Sequence, residues 1–306
     1  MKIAFLYEHP DWSNSLIEAF RQRDIKLELV NIADAAFNTA VTSCEYDVVI
    51  NRVNIMPSAE CNPRVVFQTQ HYLNWLELCG VPVINGARSH SIGSSKALQN
   101  GVFSSLNLNH PEGIAVYGGS DILQAAEKTG YPLMLKPNIG GSGAGIQRYN
   151  TADELTAALQ NRMVDLGVDG TGLVQSYIQS DGYVYRVEVL GDELFYSIRQ
   201  PVQEGVFNYC AADGCSTADD LDFCVVGGGA GIEKFEAPRS VLADVVAIVK
   251  TCGADVGGVE YFIEPDTGQP CYYDFNPYSN FVGNGEAILG FSPEQRYIDF
   301  VMSRIK

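Results

Sequence analysis

The sequence predicts an α/β chain in three parts, a doubly wound parallel-sheet domain at the N-terminus followed by two α+β units. Three observations point there. Short β-rich runs alternate with amphipathic helical stretches through residues 1–90, the pattern of a parallel sheet covered on both faces. A glycine-rich loop follows a lysine-ended strand near the middle of the chain, and the last third is dominated by strand patterns. A length of 306 residues accommodates such a division. The expected bounds are 1–90, 91–172 and 173–306.

Residues 2–7 (KIAFLY) read as the first strand, and a helix from about Ser13 carries Leu16, Ile17 and Phe20 on one face. LELV and DVVIN follow as strands. A longer helix from about Arg64 to Leu78 presents Val65, Tyr72, Leu73 and Leu76 before Gly80 stops it, and PVIN (82–85) closes the set. From Ser89 to Val116 the text is polar and turn-rich. Ser120 then caps a helix to about Thr129, and YPLMLKP (131–137) is a strand. Thr151 and Glu154 match the capping box, which predicts a helix to about Arg162. The remainder alternates the strands LVQSYI, YRVEVLG, ELFYSIR, GGVEYFIE and PCYYDFN with two helices, one from Arg239 to Cys252 and one opening at Ser292-Pro293.

Lys and Arg number 20 against 37 Asp and Glu, a net charge of −17. Basic residues are scattered singly, so a nucleic-acid backbone or an anionic membrane surface is not an expected partner. No apolar run approaches the roughly 20 residues that span a bilayer. MKIAFLYEHP also lacks the basic-then-apolar pattern of a leader, so the chain is expected in the cytoplasm. Eight cysteines form no C-x-x-C pair and read as reduced thiols; Cys210, Cys215 and Cys224 cluster among aspartates, which leaves a metal or redox role open.

Two segments carry chemistry. Lys136-Pro137-Asn138-Ile139 leads into Gly140, Gly141, Ser142, Gly143, Ala144 and Gly145, where successive backbone N–H groups can converge on a polyphosphate. It is not a Walker A loop. Further on, Asp274 and Asn276 fall on one face of a strand, and a neighbouring strand bearing Glu260 could add a third oxygen, a hard set suited to Mg²⁺ bridging phosphates.

In order and spacing these segments resemble the ATP-grasp superfamily, and its RimK-like and glutathione-synthetase-like carboxylate–amine ligases in particular. Asp47–Arg52 is similar to that branch's strand ending in arginine, and Leu76–Asn85 to its helix-to-strand passage. The resemblance implies ATP and one or two Mg²⁺ ions as cofactors, with Mn²⁺ able to substitute. It assigns nucleotide contacts to Lys96, Lys136, Gly140, Gly141, Ser142 and Gly143, to the hinge Gln175-Ser176-Tyr177-Ile178, and to Asp181 beyond it. Glu260, Asp274 and Asn276 match its metal ligands, and Arg186, Arg199 and Asn208 match residues around the reacting group. It implies a fold of an N-terminal parallel-sheet domain and two α+β domains enclosing the nucleotide. The activity implied is ligation of a small-molecule or peptide carboxylate, through an acyl phosphate, to an amine acceptor. A small-molecule kinase on the same fold, or a nucleotide binder without turnover, is the alternative. A homodimer or higher oligomer stays open.

The chain departs from the family at three places. It reads Asp274-x-Asn276 where relatives have Glu-x-Asn, Val184-Tyr185-Arg186 where they have Asp-x-Arg, and its acidic stretch 209–226 is longer than theirs, as expected of a lid or an acceptor-recognition loop.

Overall fold

The computed structural model describes residues 1–9, 11–54, 62–141, 143–202, 231–278 and 280–305. Its N-terminal part runs β1 (Ile3–Tyr7), α1 (Asn14–Gln22), β2 (Leu27–Asn31), β3 (Val48–Asn51), α2 (Val65–Leu78) and β4 (Val83–Ile84). The strands form one parallel sheet in the order β2-β1-β3-β4. Side chains alternate across a strand, so Ile3, Phe5, Val48 and Ile50 meet Leu16 and Phe20 of α1. Ala4, Leu6 and Val49 go to the other face, against Tyr72, Leu73 and Leu76 of α2. Burial on both faces is why these strands read as unbroken apolar runs.

The polar stretch after it is not a loop. It holds α3 (Ala87–Gly93) and α4 (Lys96–Ser105) before β5 (Gly113–Val116). The Ser95 hydroxyl caps α4 by accepting from Leu98 N–H at 3.2 Å. The buried face of α4 mixes Gln99 and Asn100 with Val102 and Phe103, which hides the apolar stripe. Gln99 is satisfied internally: it donates to Gly93 O at 2.9 Å and accepts from Phe275 N–H at 3.1 Å.

Next come α5 (Gly119–Thr129), β6 (Leu133–Pro137), β7 (Gln147–Tyr149), α6 (Ala152–Gln160) and β8 (Gly172–Ser176), with an antiparallel sheet ordered β5-β8-β6-β7. Gly118, not Ser120, precedes the first turn of α5, so the expected serine cap lies within that turn, two residues past the cap. Thr151 accepts from Glu154 N–H at 3.2 Å as the capping box requires, but Glu154 reaches back to Asn150 N–H at 2.7 Å, one residue before the cap.

The final part comprises β9 (Tyr183–Leu190), β10 (Glu193–Pro201), β11 (Glu233–Lys234), α7 (Arg239–Thr251), β12 (Val256–Ile263), β13 (Pro270–Asn276), α8 (Gly285–Leu289) and α9 (Pro293–Arg304). Its antiparallel sheet is ordered β11-β10-β9-β12-β13. One face packs Tyr185, Val187, Val189, Val259 and Tyr261 against α7 and α4. The other places Leu190, Ile198 and Val256 against α9, in a core that continues into Ile3, Phe5 and Val48 of the parallel sheet. Short β7, β11 and α8 carry too few residues to show a period in sequence.

Among the described residues no helix is long and apolar enough to cross a membrane. Cys252 and Cys271 are buried, and Cys44 and Cys79 half-buried, all as free thiols; burial pushes the Cys252 and Cys271 thiols up to about 12. Cys61, Cys210, Cys215, Cys224 and the stretch 209–226 lie outside the described residues.

Candidate active site

Register builds the site. Across the final sheet, Ile198 pairs Arg186, Arg186 pairs Glu260, and Glu260 pairs Asp274, so these side chains share one face. Asn276, two residues beyond Asp274, lies on the same face opposite Gly258. The three oxygen-bearing residues singled out in the sequence are therefore brought together. Among the described residues no three His, Cys, Asp or Glu side chains form a metal-sized cluster; the third oxygen here belongs to an amide. Asn276 Oδ1 accepts from Tyr278 N–H at 2.9 Å, which fixes its direction and leaves the second lone pair. Tyr273 donates its hydroxyl to Glu260 Oε2 at 2.7 Å. Burial raises the Glu260 carboxyl, with Arg186 opposing and Asp274 adding to the rise.

Two lysines face this row. Lys96 Nζ, in the first turn of α4, contacts Asp274 Oδ1. Lys136, on β6 of the central sheet, has its ammonium 5.7 Å from the centre of the Tyr273 ring. Burial pulls Lys136 down to about 8; the Lys96 charge lowers it further, while Asp274 and Glu260 oppose. The central and final sheets thus bound a cleft with cations on one wall and oxygen ligands on the other.

The glycine loop joins β6 to β7. Ala144 N–H donates to Gly141 O at 3.0 Å, and Ile146 N–H to Gly143 O at 3.1 Å. Gly143 and Gly145 sit at φ of 74° and 71°, a left-handed backbone that a side chain would strain. Asn138 ties the loop to α4: its carbonyl accepts from Lys96 N–H at 3.0 Å, and its Oδ1 from the Ser95 hydroxyl and Ala97 N–H at 3.0 Å each. Gly140 and Gly141 are in place at the loop's start; Ser142 lies outside the described residues.

The hinge needs correction residue by residue. Gln175 sits inside the central sheet, paired with Gly113 on one side and Met134 on the other, and its buried amide donates to Asn100 Oδ1 at 3.1 Å. It is a core residue. Ser176 N–H donates to Glu112 O and Tyr177 N–H to Pro132 O, at 2.9 and 3.3 Å. Ile178 keeps the free backbone N–H of this stretch, beside a Tyr177 ring whose centre is 4.0 Å from the Arg148 guanidinium. Asp181 is exposed, with its carboxylate engaged by β9: Oδ2 accepts from the Tyr185 hydroxyl at 2.7 Å and Oδ1 from Tyr183 N–H at 3.2 Å.

The arginines separate. Arg186 is buried on the ligand face, its Nη1 3.7 Å from Glu260 Oε1. Arg199 pairs with Tyr185 in register, which puts it on the opposite, α7 face; its Nε donates to Glu233 Oε1 at 2.7 Å and its guanidinium lies 4.5 Å from the Tyr183 ring centre. The sheet therefore removes Arg199 from the row that holds the oxygen ligands. Asn208 lies outside the described residues.

Three buried ionisable residues lie past the ends of the parallel strands, of which the sequence argument had singled out only Arg52. Glu8 and His9 follow β1, and Arg52 follows β3, at the carboxyl ends of parallel strands where ligand crevices form. All three are buried. Burial raises Glu8 to about 8, His9 stacks on Trp12 at 4.2 Å, and the Arg52 guanidinium lies 5.2 Å from the Phe281 ring centre. Their position just past an apolar strand was the available signal.

No family model matches the chain. A D-alanine–D-alanine ligase of Chromohalobacter salexigens is 31% identical over 171 residues, 56% of this chain and 50% of the relative. The chain spans about half the length of the curated relatives it matches. A RimK domain ATP-grasp protein from Sphaerobacter thermophilus superposes with a TM-score of 0.70 at 19% identity, covering 98% of this chain and 99% of that one. The chain has the ATP-grasp fold. The VanG D-Ala:D-Ser ligase from Enterococcus faecalis gives a TM-score of 0.68 at 16% identity, with 98% of each chain covered.

Proposed function

We propose that the chain is an ATP-dependent carboxylate–amine ligase, with domains at 1–90, 91–172 and 173–306. The observation that carries this reading is the single row Arg186, Glu260 and Asp274, faced by Lys96 and Lys136. Cations beside an oxygen-rich face suit phosphoryl transfer, in which positioning and charge neutralisation matter more than a general base. Glu260, Asp274 and Asn276 would hold Mg²⁺, or Mn²⁺ in its place, and that ion supplies neutralisation of phosphate charge.

The chain's own groups then divide the work. Lys136 and Lys96 bind phosphate oxygens, Lys96 leaving Asp274 to do so. The N–H groups of Gly140, Gly141, Ser142 and Gly143 cover the phosphates, and Ile178 N–H reads the base. A substrate carboxylate oxygen attacks the γ-phosphorus, ADP departs, and Arg186 steadies the acyl phosphate. An amine nitrogen then attacks the acyl carbon; phosphate leaves and the nitrogen loses a proton. Arg52, just past β3, carries a positive charge suited to the carboxylate of an amino acid or peptide. The names of the D-alanine–D-alanine and D-Ala:D-Ser ligases support that substrate class. The cytoplasm, where thiols stay reduced, is the compartment this reading assigns.

Incubation with ATP, Mg²⁺, hydroxylamine and a panel of amino acids and dipeptides tests the proposal. Hydroxamate together with ADP is the expected result. ADP without hydroxamate indicates a kinase, and no ADP with any acid indicates a binder; either outcome refutes the ligase reading.

A further inference from the structure

Beneath Arg186 lies a second carboxylate that the ligand row does not require. Glu188, two residues along β9, is 0% exposed. Its Oε1 accepts from Arg186 Nε at 2.7 Å and stands 2.7 Å from Nη2. One edge of the guanidinium is therefore held, and the other edge, Nη1, is turned to Glu260 at 3.7 Å.

The sequence makes room for this arrangement. Gly258 on β12 is directly opposite Glu188 in register. A Cβ at Gly258 would come within 2.6 Å of the Glu188 carboxyl carbon, closer than real Cβ contacts allow. Strand β12 thus omits a side chain at the one position where the carboxylate sits, although glycine in a strand interior weakens it. A buried ion pair is itself poor stabilisation, because well-packed apolar residues of like volume do as well or better. Two costly choices on adjacent strands serve one geometry, the direction of Arg186.

We infer that Glu188, in the slot left by Gly258, is a positioning residue that aims Arg186 at the phosphoryl group being transferred. The inference rests on the proposed nucleotide site. Glu188 shares the sheet face of Arg186 but is fully buried, with its Oε1 taken up by the guanidinium; it acts by fixing a planar fork whose other edge meets the developing charge. A guanidinium released from Glu188 would turn toward Glu260 and Asp274, and so compete with bound cation instead of facing phosphate.

The test uses the full chain with Mg²⁺ and ADP, with and without fluoroaluminate as a mimic of the phosphoryl group in flight. Melting temperature is read for the unliganded protein and both complexes. In the wild type, fluoroaluminate should raise the melting temperature beyond Mg·ADP alone. Glu188→Gln should keep the Mg·ADP rise and lose the fluoroaluminate increment, with affinity for the ternary complex falling at least about ten-fold. Gly258→Ala, which keeps both charges and displaces the carboxylate, should do the same and decides the question if Glu188→Gln does not fold. A full fluoroaluminate increment in either folded variant overturns the positioning role and leaves the site standing. No increment in the wild type overturns the nucleotide site and this inference with it.

Discussion

Lys96, at the start of α4, and Asp274, on β13, form an ion pair that joins the glycine-loop side of the cleft to its oxygen-ligand side. Each is mostly shielded, with side chains 13% and 21% exposed. On the proposed reading, a cation taken up by Asp274 would release Lys96 to the phosphates.

Asp274→Asn should therefore do two things. Turnover should fall to a small fraction, and the Mg²⁺-ATP-dependent rise in melting temperature should shrink. The unliganded protein should also melt lower, because Lys96 and Lys136 lose a shared counter-charge. Near-wild-type ADP formation at limiting Mg²⁺ would place the cation elsewhere. Asn276→Ala should show the turnover loss without the drop in unliganded melting, since its amide carries no charge.

Lys136 gives a pH signature. Its folded-state value, about 8, lies below the ordinary 10.5, so the folded protein releases this proton first as pH rises. Between those values the unfolded chain holds more protons, and the group's contribution to stability increases with pH. Phosphate binding runs the other way: kcat/KM for ATP should decline above about pH 8 as the ammonium is lost. Lys136→Arg should remove that basic limb, and Lys136→Ala should raise KM for ATP at every pH. An unchanged profile in Lys136→Arg would assign the limb to another group.

Glu8 has the opposite sign. Burial lifts its carboxyl from 4.5 to about 8, so the folded protein holds the proton that the unfolded chain gives up. Stability should fall as pH rises from about 4.5 through 8. Glu8→Gln should flatten that part of the melting-temperature profile, measured without ligand. A Glu8→Gln profile as steep as the wild type's would show that the slope comes from other groups.

Arg199 should matter little to turnover. It lies on the α7 face, its side chain 35% exposed and paired with Glu233. An exposed pair of this kind adds little to stability. Arg199→Ala should keep kcat within about two-fold, while Arg186→Ala should lose most of it because the transition-state charge goes unmet. Equal losses in the two variants would contradict the separation of faces.

The reason the sequence does not show which face Arg199 takes is local. The β9–β10 ladder begins with Glu193 opposite Leu190 and Leu194 opposite Val189, then slips by one residue between Leu194 and Tyr196. Without the slip Arg199 would oppose Val184 and share a face with Arg186. One bulge reverses every side chain beyond it, and nothing in ELFYSIRQP marks where it falls. By contrast, Glu260, Asp274 and Asn276 were legible because alternation within a strand and across one hairpin requires no register beyond the pairing itself. The parallel sheet was legible for a similar reason: apolar runs flanked by amphipathic helices leave few arrangements. Helices α3 and α4 were not, because Ser89, His90, Gln99 and Asn100 are buried polar residues that composition reads as surface.

The core that runs unbroken from Ile3 and Val48 through Leu190 and Val256 to Tyr297 has a mechanical meaning. It welds the first and last sheets into an anvil, while the central sheet keeps a private core of its own around Leu133, Leu155 and Val174. Apart from the small Val66–Ile139–Tyr278 cluster and the packing of α4 on β5 and β8, two threads join the bodies, the α4–β5 passage around Leu108–Glu112 and the crossing from Tyr177 to Gly182. Stiffening either thread would slow the escape of spent nucleotide before it altered the bond-making step.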